Sequence, residues 1–239
     1  MAERSPQEPS CEEAVKAPDA PQESKATAMQ RITDSVSRGY QWWTSGTVPK
    51  KKISGLRAKF SLRYGTQAEK TERRRRKRNR VGNAFLVIYA PPKSSTAVWW
   101  LLCDQEHIAH RTESLVEATN KHCRLAVPDT RCLPEWKPDY ELVRQAESSW
   151  TWRITSECKA QWIDRIHGAV RHPHQGARED AVRQIVYSIR CMPGFRGIRK
   201  DAKNLIRTLK GDWKRIRSTS EPLPAEPKPP WYVRRRRQR

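Results

Sequence analysis

The 239-residue sequence is short of acids: 26 Asp and Glu stand against 48 Lys and Arg, a formal net charge of +22. Such a balance argues for a polyanionic partner, nucleic acid or an acidic surface. Long apolar runs are absent too. No stretch approaches the ~18–20 apolar residues of a membrane span, and Met1 to Gln30 lacks the apolar core of a secretory signal. The six cysteines (Cys11, Cys103, Cys123, Cys132, Cys158, Cys191) are too sparse for a disulfide scaffold, which points to a reducing compartment. The expected location is intracellular: cytoplasmic or nucleoid-associated, or nuclear if the source is eukaryotic or viral. With only ten glycines, the chain holds no phosphate-binding glycine loop, and it has no nucleophile elbow or paired-carboxylate site.

What the chain does have is tryptophan, ten of them, among 36% hydrophobic residues. That much aromatic surface needs burial, so a purely disordered polycation is excluded. The expected fold class is α+β, an antiparallel sheet of about four strands followed by three helices. Composition divides the chain into four parts. Residues 1–30, rich in Pro, Glu, Ser and Gln, are expected to be disordered. Residues 31–80 form a basic arm with short helices, residues 81–217 an α+β nucleic-acid-binding domain, and residues 218–239 a disordered Pro-rich and Arg-rich tail.

In the arm, Ile53, Leu56, Phe60 and Tyr64 give a helical period that ends at Gly65. A second helical stretch runs from Thr66 through the arginines. It lacks an apolar face and is expected to order only on contact with phosphate. Phe85–Tyr89 and Val98–Cys103, joined by a Pro/Ser loop, read as an antiparallel hairpin. Tyr140–Arg144 and Trp150–Ile154 flank a turn at Glu147-Ser148-Ser149, with Trp150, Trp152 and Ile154 on one face. Between Gln105 and Pro138 the pattern suggests a short helix over Glu113–Asn120, a short strand over Arg124–Val127 and a proline-punctuated loop.

Three helices follow. Thr155 or Ser156 caps the first, which carries Trp162, Ile163, Ile166 and Val170 on one face. Val182, Ile185, Val186 and Ile189 mark the second, closed by Met192-Pro193-Gly194. The third has two faces. Phe195, Ile198, Ala202, Leu205, Ile206, Leu209, Trp213 and Ile216 share one, while Arg196, Lys200, Lys203, Arg207, Lys210, Lys214 and Arg217 share another. At 3.6 residues per turn these seven cations span roughly 100° of arc on a rod about 30 Å long.

The expected function is therefore non-enzymatic nucleic-acid binding, DNA favoured over RNA, as in an accessory factor of a replicon or mobile element. The contacting residues are the stripe just named, the arm cluster Arg73, Arg74, Arg75, Arg76, Lys77, Arg78 and Arg80, and the tail run Arg234, Arg235, Arg236 and Arg237. Neutralised phosphates release counterions, so affinity should fall with salt. Arg73 to Arg80 also has the composition of a nuclear-import cluster. Tyr40, Trp42, Trp43 and Phe60 interleave with cations and either stack on unpaired bases or pack on the folded domain, the second being favoured. No cofactor or metal is expected: His107, His110, His122, Cys123 and Cys132 are ligand types without the paired spacing of a zinc site. Oligomeric state is not legible.

Two other readings belong to different classes. His172-Pro173-His174, followed by Tyr187 and Arg190, resembles the arrangement in rolling-circle initiators and relaxases, which nick DNA with a His-hydrophobe-His pair and a tyrosine. That resemblance implies a metal held by His172 and His174 and a nucleophilic Tyr187. In that family the pair lies on a central strand; here it falls in an apparent loop, with proline between. The other reading is a basic module that docks an acidic protein or membrane surface.

Overall fold

The computed structural model describes residues 20–22, 24–127, 138–146, 149–217 and 221–233. The fold is mixed α and β, and the chain divides into two compact units, Met1–Cys123 and Arg124–Arg239.

In the first unit a helix, α1 (Lys25–Ser37), precedes strand β1 (Trp42–Pro49), helix α2 (Ile53–Tyr64), helix α3 (Lys70–Arg78), strands β2 (Ala84–Tyr89) and β3 (Thr96–Cys103), and a two-residue strand β4 (Val116–Glu117). The strands form one antiparallel sheet in the order β2-β3-β1-β4. Phe85–Tyr89 and Val98–Cys103 pair as the sequence suggests. Trp100, Leu101 and Leu102 are buried, and Trp99 is partly so because its edge lies over Gly46, where a Cβ would meet it at 2.5 Å.

Strand β1 corrects the reading of residues 31–80 as an arm. Trp42–Pro49 pairs with β3 over eight consecutive positions and occupies an interior place in the sheet. Its Thr-Ser-Gly-Thr centre has no apolar alternation, so only its partner identifies it as a strand. The expected boundary at residue 81 thus falls inside the first unit, and the expected 81–217 domain crosses the division at 123/124. The reading of 1–30 as disordered is corrected over Lys25–Gln30, where Ala28, Met29, Ile32 and Val36 of α1 are buried and Ser24 caps the helix. Upstream, Gln22 N donates to Ile88 O and Ala90 N to Gln22 O, both at 2.8 Å, which covers the β2 edge. Residues 1–19, the rest of that expected segment, lie outside the described residues. Glu113–Asn120 is not helical either: a 3₁₀ turn occupies Ile108–Arg111, and Val116–Glu117 pairs with Trp42 and Trp43.

Helix α2 follows its predicted period. Phe60 and Tyr64 are buried, and Gly65 ends the helix with φ 62°, a left-handed conformation that favours glycine. The arginine-rich α3 is held by the protein itself rather than by phosphate. Arg73 Nη2 donates to Thr66 O at 3.1 Å, Arg76 Nη1 to Tyr64 O at 3.4 Å, and Asn83 Nδ2 to Arg73 O at 3.1 Å.

In the second unit, β5 (Ala126–Val127), β6 (Tyr140–Ala146) and β7 (Ser149–Ile154) form a three-stranded antiparallel sheet. The expected proline-punctuated loop over 128–137 and the turn residues Glu147 and Ser148 lie outside the described residues. Helices α4 (Ser156–Arg171), α5 (Gln175–Arg190) and α6 (Arg196–Arg217) follow, as expected. Thr155 is the N-cap of α4, its hydroxyl accepting from Cys158 N at 3.3 Å.

The tail expected to be disordered is corrected over Glu221–Val233. Trp213 Nε1 donates to Glu221 O at 2.9 Å, Arg178 Nη2 reaches Glu221 Oε1 at 3.4 Å, and Val233 N donates to Gly194 O at 3.3 Å. Pro227 and Pro230 are buried. Five prolines in thirteen residues suit this segment to an extended strap, because the missing N–H groups leave no donors to satisfy.

Candidate nucleic-acid interface

Helix α6 is seated by its first turn. Gly197 N donates to Thr151 Oγ1 at 3.0 Å, and a Cβ at Gly197 would stand 2.4 Å from Trp152 O. Glycine therefore lets the helix lie directly on β7. Ile198, Ala202, Leu205, Leu209 and Trp213 are buried on the same side.

The two acids of α6 point toward that side as well. Asp201 is buried, accepts from Ile154 N at 3.0 Å, and lies 3.0 Å from Lys159 Nζ and 3.8 Å from Arg153 Nε. Asp212 is buried between His167 Nε2 at 2.9 Å and Arg215 Nη2 at 2.6 Å. Neither offsets the stripe. Arg196, Lys200, Lys203, Arg207, Lys210 and Lys214 are all exposed. Arg207 Nη1 has one hydrogen bond, to Asn204 Oδ1 at 3.4 Å. Six cations thus recur every three or four residues along about 27 Å of helix.

The seventh does not join them. Arg217 turns inward, donating through Nε and Nη2 to Val170 O at 3.1 and 2.9 Å and through Nη2 to His172 O at 3.2 Å. These carbonyls end α4, where four acceptors lack helical partners. Arg217 closes that end and is a structural cation.

The arm cluster divides in the same way. Arg74, Lys77, Arg78 and Arg80 are exposed. Arg75 is exposed but 2.9 Å from Glu72 Oε2. Arg73 lies against the Phe85 ring, 5.2 Å from its centroid, and Arg76 bridges Glu72 and the Tyr64 carbonyl. Beside α3 the first unit has a depression of about 550 Å³, lined by Arg38, Tyr40, Lys70, Arg73, Arg74 and Lys77, with Glu69 the acid on its wall. Burial pushes the Tyr40 phenol up, against the pull of Arg73, so it remains a hydrogen-bond donor there. Arg234, Arg235, Arg236 and Arg237 lie outside the described residues.

Of the interleaved aromatics, Trp43 and Phe60 are buried, Trp42 meets the His110 ring edge-on, and Tyr40 leans on Phe85. They belong to the first unit's packing. Two exposed aromatics went unnoticed in the sequence: Trp231 and Tyr232, in the segment read as a tail. The signal available was two adjacent large aromatics one residue before the run that starts at Arg234.

The His172/His174/Tyr187 set does not converge. His172 ends α4 and His174 begins α5, their rings 5.9 Å apart. Tyr187 lies thirteen residues beyond His174, about 20 Å along the helix axis. A hydrogen bond to Cys191 raises the Tyr187 pKa, the opposite of an activated nucleophile. His107 is buried with Nε2 on Tyr64 O and Nδ1 accepting from Ala109 N, and His110 Nε2 meets Asp104 O. No cluster of three metal-ligand side chains occurs among the described residues, and Cys132 lies outside them. No helix among them is long and apolar enough to cross a membrane.

Compared with protein families, curated proteins and solved structures, the chain matches none.

Proposed function

We propose that this protein binds nucleic acid, DNA in preference to RNA, without cleaving it. Its principal contact is the exposed face of α6. The observation that supports this reading is the segregation of charge on that helix: six cations are exposed and, among the described residues, none forms an ion pair with a carboxylate, while Asp201 and Asp212 are spent on the opposite side. A face that were merely solvated has no need of such sorting, since mixed charge is equally soluble and adds intrahelical pairs. Opposite a phosphate chain, the sorting prevents self-neutralisation and lets each cation displace a condensed counterion. The exposed arginines and lysines of α3 and the depression beside it add phosphate contacts from the first unit.

Nothing in this set reads base edges, so the contacts are largely independent of sequence. Mobility shifts with duplex DNA, single-stranded DNA and RNA across a salt series test the proposal. Retention that declines linearly in log–log form, by roughly 0.9 per phosphate on duplex, is the expected result. Binding to acidic vesicles that competitor DNA does not displace would favour the docking module instead. Nicking of supercoiled plasmid with magnesium, lost in Tyr187→Phe, would favour the enzyme.

A further inference from the structure

The strap ends in two neighbouring aromatics that the fold leaves open. Trp231 is 75% exposed and Tyr232 69%, although the backbone around them is fixed by Val233 N on Gly194 O and by buried Pro230. Each ring has an arginine on one side. The Arg190 guanidinium lies 5.9 Å from the Trp231 centroid and that of Arg199 3.8 Å from the Tyr232 centroid. Tyr187, 64% exposed, lies one turn before Arg190 on α5.

The strap also has a direction. It leaves Trp213 at Glu221, carries Glu226 paired with Lys228 at 2.8 Å, and reaches Arg199 and Gly194 at Tyr232 and Val233. It therefore runs back along α6 and delivers the two rings to the Arg196 end of the cationic stripe. Arg234 to Arg237 follow directly in the sequence.

We infer that Trp231 and Tyr232 form a stacking platform for unpaired bases at the Arg196 end of the stripe, making single-stranded nucleic acid the preferred ligand. The proposal rests on phosphate binding by α6 and adds what that helix lacks, a contact to bases. A base has two aromatic faces and no fixed charge, so it stacks on an open ring whatever its identity. An arginine behind each ring polarises and immobilises it, lowering the entropy lost on stacking. Rings at the end of a run of cations suit a single strand, backbone along the charges and bases on the aromatics. A duplex, whose bases are already stacked on one another, gains nothing from the platform except at its frayed ends.

The test compares the full-length protein with Trp231→Ala/Tyr232→Ala and Trp231→Phe/Tyr232→Phe on oligo(dT), oligo(rU) and a DNA duplex of equal length, at one salt concentration. The alanine pair is expected to weaken single-strand binding roughly tenfold or more, to leave duplex affinity within about twofold, and to be rescued largely by the phenylalanine pair. The oligo(dT) and oligo(rU) arms show which sugar the site takes. Quenching of wild-type tryptophan emission by oligo(dT), reduced in Trp231→Phe alone, supplies a readout in a variant that keeps an aromatic in place. Equal losses on duplex and single strand, or none on either, would overturn the platform while leaving phosphate binding intact. A wild-type protein that retains none of the three probes would overturn phosphate binding itself.

Discussion

Arg217 caps the carbonyl of Val170 with two hydrogen bonds, at 3.1 and 2.9 Å, although it shares its helical phase with the six exposed cations of α6. Replacing it should therefore affect stability and not ligand binding. Arg217→Ala is expected to lower unfolding free energy by about 1.5–3 kcal/mol, the worth of charge-assisted hydrogen bonds. Affinity for nucleic acid, measured below the melting temperature, should stay within about twofold.

The opposite split is expected at the centre of the stripe. Lys203→Gln, Arg207→Gln and Lys210→Gln together remove exposed charges and no buried contact, so far-ultraviolet circular dichroism and melting should change little. Mobility-shift titrations should show weaker retention of every probe, with the salt slope shallower by about one for each cation lost. Unchanged retention would remove α6 from the interface.

Gly197 tests how closely α6 must lie on β7. An added methyl meets Trp152 O at 2.4 Å, a backbone atom that cannot swing aside. Gly197→Ala is expected to destabilise by about 1–3 kcal/mol through overpacking, despite alanine's better helix propensity. Calorimetric melting compared with Gly211→Ala, where the added Cβ meets only open space, separates packing from propensity.

Acid sensitivity should arise in the first unit at His107. Burial is the largest cause of its depressed pKa. Its neutral ring receives a backbone N–H at Nδ1, which a second ring proton would oppose. A depressed value stabilises the fold fully above the ordinary histidine range, near 6.5, and that contribution is lost as pH falls through the lower folded value. Asp104 works with the opposite sign: burial raises its pKa, so its contribution is present at low pH and lost as pH rises through that value. Melting temperature against pH for wild type and His107→Gln isolates the histidine. The variant is expected to show a flatter decline from pH 7 to pH 5.

The sequence alone determined whatever depends on local period. Helices α2, α4, α5 and α6, the Gly65 stop and the two hairpins are legible because residues three or four apart, or two apart, must share a face. The cationic stripe is legible for the same reason. Tertiary structure decided whatever depends on a distant partner. Trp42–Pro49 is a strand because β3 lies beside it, Glu221–Val233 is ordered because Gly194, Trp213 and Arg178 receive it, and Arg217 faces inward because α4 ends there. Periodicity assigns a residue to a face of its own helix, but only the packed chain determines which parts of that face meet solvent.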